Sequence, residues 1–185
     1  MDTITQLFHT LATTTPSFAT VIILIATKGL QIIVVLVGIY IMWFHEEKNK
    51  NALQLLSNRF HELFPVIFVV IFAWLCALIL QNFIALPRPF VADETLIPLF
   101  THGGYNTFPS GHTTVLFALA TIMYFFSRRI GVLTAIGAFL VACARVIAGV
   151  HYPLDIFGGI IMGIVLALLA RKLCIHFRLW PHTLS

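Results

Sequence analysis

Long apolar runs separated by short polar clusters organise this chain. The runs predict five membrane-spanning helices, near Val21–Phe44, Pro65–Ile84, Thr113–Phe126, Ile130–Val150 and Leu154–Ala170. A hydrocarbon core about 30 Å thick needs about 20 helical residues, so the third run must borrow length from its flanks or be covered by protein. Ahead of them, Ile4, Leu7, Phe8 and Leu11 fall on one face at helical spacing before the breaker Pro16. That spacing predicts a short helix within residues 1–16 lying in the membrane interface.

Composition agrees with this pattern. Of 185 residues, 59% are hydrophobic and 10% charged, far below the roughly one quarter charged in soluble domains. The expected fold class is therefore an all-α integral membrane protein, a bundle of about five helices forming a single domain over residues 1–185, with residues 20–172 as its functional core. No internal repeat or polar linker divides it. Asp2 and the lack of Lys or Arg before Lys28 argue against a cleavable signal peptide, so the first apolar segment is expected to stay. Cys76, Cys143 and Cys174 show no paired spacing and read as small buried hydrophobes.

The formal net charge of +4 does not point to nucleic acid, because the basic residues are scattered at segment ends. They follow topology instead. With the Phe44–Pro65 loop taken as cytoplasmic, Lys48, Lys50, Arg59, Arg128, Arg129, Arg171, Lys172 and Arg178 fall inside, and only Lys28, Arg88 and Arg145 fall toward the outside. His45, His61, His176 and His182 then lie on the cytoplasmic side, and His102 in an outer loop.

The same topology gathers three polar clusters at the outer face: Arg88-Pro89, Pro109-Ser110-Gly111-His112, and Arg145 with His151 and Asp155. An ionised side chain at such depth costs several kcal/mol unless paired or lining a polar cavity, so these residues are functional candidates. Arg88 and Arg145 suit bidentate contact with phosphate oxygens. Ser110 as a helix N-cap and Gly111 beside it would offer free backbone N–H groups and the positive end of a helix dipole. His151 with Asp155 fits a nucleophile and the carboxylate that fixes its tautomer, leaving His112 as general acid for the leaving oxygen. Nothing on that face forms a carboxylate cluster suited to magnesium, so neither a metal nor another cofactor is expected. Together these parts predict a phosphatase.

At these residues the chain resembles the type 2 phosphatidic acid phosphatase superfamily, whose pattern is Lys-x6-Arg-Pro, Pro-Ser-Gly-His and Ser-Arg-x5-His-x3-Asp. Here it reads Gln81-x6-Arg88-Pro89, then Pro109-Ser110-Gly111-His112, then Ala144-Arg145-x5-His151-x3-Asp155. The resemblance implies a phosphohistidine at His151, support from Asp155, acid catalysis by His112 and no metal. Gln81 and Ala144 depart from the pattern, removing one cationic and one hydroxyl contact and leaving Gln81 as a candidate phosphate contact in the lysine's place. The Pro-Arg-Pro-Phe-Val stretch at 87–91 and the Gly-Val-His-Tyr-Pro-Leu-Asp stretch at 149–155 are similar to the bacitracin-resistance type of undecaprenyl diphosphate phosphatase, a branch with several members that also lack the Lys. That likeness implies a lipid diphosphate substrate within the bacterial plasma membrane, an active site facing the periplasm or exterior, and a role in recycling the cell-wall lipid carrier.

Alternatives stay open at this stage. The motifs specify a phosphoryl group and not a tail, so phosphatidylglycerophosphate, phosphatidate or a lipid A phosphate could be the substrate. A small channel or carrier would instead spread its polar residues through the membrane depth. Lys28 has two readings: a lysine snorkelling to headgroups, or the phosphate-binding charge missing at Gln81. Gly159 and Gly163 form a small-xxx-small pattern for close helix packing, within the chain or between two copies in a homo-oligomer.

Overall fold

The computed structural model describes residues 3–43, 52–100 and 103–180. His45, His102, His182, Lys48 and Lys50 lie outside the described residues, as do the side chains of Ile4, Leu7, Phe8, Arg59 and His61. Seven helices follow one another among the described residues: α1 (Thr3–Thr14), α2 (Pro16–Trp43), α3 (Ala52–Ile84), α4 (Pro89–Ala92), α5 (Gly111–Phe126), α6 (Arg128–Ile147) and α7 (Pro153–His176). The all-α expectation holds. Four stretches are long and apolar enough to cross a membrane, Pro16–Ile41, Glu62–Ile84, Arg128–Ile147 and Pro153–His176, with α5 as a shorter apolar helix.

The helix α5 has only 16 residues, or about 24 Å of rise. It does not face lipid on all sides. Thr113, Thr114, Leu116, Ala118, Leu119, Ile122 and Met123 are all buried on it, and it packs against α3, α6 and α7. A helix enclosed by longer neighbours need not match the bilayer thickness, which resolves the short third run by covering it with protein. Outward-facing side chains such as Phe83, 87% exposed, form the lipid-facing surface of the longer helices.

Several boundaries move. Residues expected as part of the loop before Pro65 are helical from Ala52, and Pro65 lies inside α3 rather than at its start. One lost backbone hydrogen bond does not stop a helix whose apolar surface is packed on either side of it. The fourth run ends at Ile147, three residues early, because the turn to α7 uses Gly149 at φ +74, where a side chain would be strained and would also meet Leu96. The early helix forms as expected and packs against α2 and α6, with the His9 ring 2.9 Å (Nδ1) from the Ile147 carbonyl.

Gly159 and Gly163 turn inward. A Cβ at Gly159 would lie 3.0 Å from the Ser110 carbonyl oxygen and 3.0 Å from Thr113 Cβ, while one at Gly163 would meet the Thr114 carbonyl and the Ala118 amide of α5. The small-residue stripe is therefore the α5–α7 seam within the chain. At the other end of α7 the backbone turns back at Arg178, and Trp180 packs on Phe125 and Phe126 with the Arg171 guanidinium against its ring. The three cysteines are free.

Candidate active site

The C-terminal ends of α3 and α6 and the N-terminal ends of α5 and α7 lie at one end of the bundle, so sequence-distant clusters converge there. The segments after α3 and before α5 pair like two short strand edges. The Arg88 amide donates to the Gly104 carbonyl at 3.1 Å, and the Thr107 amide donates to the Leu86 carbonyl at 3.2 Å. An isolated bridge joins Pro87 and Tyr105 between them. This pairing delivers Arg88 and the Pro109–His112 segment to the same place.

The His151 ring stands at the centre, 2% exposed in the turn between α6 and α7. Its Nε2 lies 3.4 Å from Arg88 Nη1 and 3.3 Å from Arg145 Nη2. Each guanidinium is also anchored behind: Arg88 donates to the Val150 carbonyl at 2.9 Å, and Arg145 donates to the Ala26 carbonyl of α2 at 2.9 Å. The Nε of each arginine is buried with no acceptor among the described residues. Such donors suit an anion's oxygens. On the opposite edge of the ring, Nδ1 lies 3.3 Å from Asp155 Oδ2. That carboxylate also accepts the Tyr152 amide at 2.8 Å, and Pro153 opens α7 as the first helical residue.

Burial, partly opposed by the hydrogen bond to Asp155 and reinforced by the Arg145 and Arg88 charges, pushes the His151 imidazole down to about 4. The ring is thus neutral at ordinary pH. Burial also pushes Arg88 below its usual range, with the Asp155 charge pulling it partly back.

A cavity of about 240 Å³ adjoins His151, lined with it by Gln81, Arg88, Gly111, His112 and Arg145 on its polar side and by Leu30, Trp74, Leu78 and Val115 on its apolar side. A polar floor and a greasy wall fit a charged headgroup attached to an apolar tail.

Some candidates take different places from those expected. Ser110 occupies the N-cap position of α5, yet its hydroxyl makes no capping bond. It is fully buried and accepts from the Thr113 hydroxyl at 3.0 Å, while its amide donates to the Asp155 carbonyl at 3.1 Å. Ser110 therefore braces the wall between α5 and α7, and Gly111 and His112 form the cavity surface. The Gln81 amide donates to the Pro109 carbonyl at 2.6 Å, so the residue at the motif's lysine position ties α3 to this loop. Lys28 is exposed on α2 and is not among the residues lining the cavity. Thr107, which lies outside all three motifs, also belongs to the cluster. It is buried, donates to Asp155 Oδ2, and its Oγ1 lies 3.2 Å from His151 Nδ1. Its only sequence signal was a hydroxyl two residues before Pro109.

Residues 62–178 match the family model described as PAP2 superfamily. The chain belongs to the PAP2 superfamily. Among relatives, it is 40% identical over 85 residues to the undecaprenyl-diphosphatase BcrC of Bacillus subtilis, covering 45% of this chain and 42% of that protein. It is 32% identical over 112 residues to the bacitracin transport permease protein BcrC of Bacillus licheniformis, covering 60% of this chain and 55% of that protein. These matches span about half the length of the two relatives. The crystal structure of Aquifex aeolicus LpxE superposes with a TM-score of 0.67 and 25% identity over 90% of this chain and 93% of that one. As a PAP2 protein with four membrane-length helices, the chain is a multi-pass membrane protein of the lipid phosphatase family.

Proposed function

We propose that this PAP2 protein removes the terminal phosphate of undecaprenyl diphosphate at the outer face of a bacterial plasma membrane, through a phosphohistidine at His151. The observation that carries it is the neutral His151 Nε2 facing two anchored guanidinium groups at the floor of a half-greasy cavity. The BcrC relatives support the choice of lipid, and the outward orientation rests on the bias of Lys and Arg toward the other end of the bundle.

The terminal phosphorus sits above His151, its oxygens held by Arg88, Arg145 and the backbone N–H groups at the start of α5. The Nε2 lone pair forms the N–P bond as the P–O bond to the bridging oxygen breaks. His112 donates a proton to that oxygen, and undecaprenyl phosphate leaves. Water then attacks phosphorus from the vacated side, giving its proton to His112, and the N–P bond breaks to release phosphate and restore the neutral ring. Asp155 carries the counter-charge for the imidazolium throughout. Arginines and amides meet the developing charge.

A cavity of about 240 Å³ is large enough for a diphosphate headgroup but not for a long isoprenoid tail, which leaves past Leu30, Trp74 and Leu78 into the bilayer. The test is phosphate release by the purified full-length protein from undecaprenyl diphosphate, phosphatidate and a lipid A phosphate. The expected result is preference for undecaprenyl diphosphate, activity that survives EDTA, inhibition by vanadate, and loss of turnover in His151→Ala with helical content intact. Appreciable hydrolysis by His151→Ala would sink the mechanism, and preference for another lipid would reassign the substrate.

A further inference from the structure

Thr107 occupies a junction that none of the motifs contains. Its single hydroxyl hydrogen goes to Asp155 Oδ2, which leaves the oxygen's lone pairs facing His151 Nδ1 at 3.2 Å. The same Nδ1 lies 3.3 Å from Asp155 Oδ2, so one ring proton at this nitrogen is shared between two acceptors. Across the ring, Nε2 meets guanidinium nitrogens at 3.4 and 3.3 Å, and these donate but never accept. These four contacts therefore agree on a ring with its proton on Nδ1 and a bare pair on Nε2.

We propose that Thr107 is a positioning residue for the phosphoryl transfer assigned to His151: its hydroxyl, donating to Asp155 and accepting from His151 Nδ1–H, locks the imidazole in its nucleophilic tautomer and aim. The proposal rests on the hydrolase function above. The hydroxyl already holds its proton, so it orients the ring without taking charge, and Asp155 remains the counter-ion as the N–P bond forms. Thr107 also lies five residues before His112 on one short stretch, fixed between the Leu86 carbonyl and α7. The same segment thus sets the nucleophile and carries the general acid, holding the two in register across the transferred group. Thr107 is 1% exposed, so its hydroxyl meets Asp155 and His151 away from solvent.

The test is steady-state hydrolysis of undecaprenyl diphosphate by the purified full-length protein carrying Thr107→Val, which keeps the shape and removes the hydroxyl, and Thr107→Ser, which keeps the hydroxyl. Thr107→Val should lower kcat by about 10- to 100-fold, the worth of a hydrogen bond to a charged group, with KM little changed. Thr107→Ser should recover most of that loss, and vanadate should inhibit both. If Thr107→Val does not fold, Thr107→Cys replaces it with a weak donor of similar size. Full kcat in the hydroxyl-free variant, a change confined to KM, or equal loss in Thr107→Ser would each overturn the role. An active His151→Ala sinks the hydrolase reading itself, whereas an inactive His151→Ala beside a fully active Thr107→Val removes only Thr107.

Discussion

The α5–α7 seam makes Gly159→Ala a sharp perturbation. The added methyl would sit 3.0 Å from the Ser110 carbonyl oxygen and 3.0 Å from Thr113 Cβ, against the 3.5–4.0 Å of a relaxed contact, so α5 and α7 must part locally by about 0.5 Å. The Ser110 carbonyl cannot simply swing aside, because it accepts the Thr114 amide and the Thr114 hydroxyl, both at 2.9 Å. Overpacking of this kind costs about 1–3 kcal/mol. The displaced atoms adjoin Gly111 and His112, and since a 1 Å misplacement can cost about 100-fold in rate, half of that should lower kcat about tenfold. Gly163→Ala, one turn further along α7, meets backbone of α5 as well but lies about 6 Å deeper. It should cost similar or greater stability and less of the rate. Thermal unfolding in detergent read beside kcat separates the two. Wild-type stability and turnover in Gly159→Ala would refute the tight seam, and equal kcat losses in both variants would refute the link from seam to site.

Other outcomes follow from the site. His151 has its folded pKa, about 4, below its ordinary 6.5, so folding favours the neutral ring. The associated stability is present above pH 6.5 and lost as pH falls toward 4, and the acid limb of kcat/KM for the free enzyme should lie nearer pH 4 than 6.5. A limb at 6.5 would mean that the ring is solvated. Cysteine at Gly104, in a background lacking Cys76, Cys143 and Cys174, should react with an impermeant thiol reagent in intact spheroplasts, while cysteine at Ser127 should react only after permeabilisation; the reverse pattern would put the site in the cytoplasm. Lys28→Ala should alter diphosphate and monophosphate hydrolysis alike and by less than about twofold, as for an exposed surface change. A selective loss on the diphosphate would bring Lys28 into the site.

Much of the site was legible because its chemistry is carried by residue types that a membrane does not tolerate idly. Arg88, Arg145, His151 and Asp155 stand out against apolar runs, and they meet around the His151 ring. That the clusters share one end of the bundle also follows from counting spans. Less could be seen where a residue's role depends on which neighbour it touches. Ser110 has the composition of an N-cap, but burial against Thr113 turned its hydroxyl inward. Gln81 looked like a lost charge, whereas its amide bonds the Pro109 carbonyl. Thr107 is neither charged nor at a motif spacing, and only the pairing of the two loops brings it to His151. Pro65 marks a helix boundary by local preference and is overruled by the packing of α3.

The enclosure of α5 bears on how the protein is made. At 16 residues, α5 is a poor candidate to stop in a bilayer by itself, and only Ser127 separates it from α6. The turn is tight enough that a Cβ at Gly131 would strike the Tyr124 backbone. The two helices are therefore suited to enter the membrane together as a hairpin, with α6 supplying the length that α5 lacks. Until α7 is synthesised and its Gly159–Gly163 face closes on α5, the threonines and small residues of that surface stand open to lipid or to a chaperone. Completion of the cluster thus waits for α7, which brings Asp155 and closes the turn bearing His151. A nascent chain stalled before α7 would hold both arginines and His151 but lack Asp155.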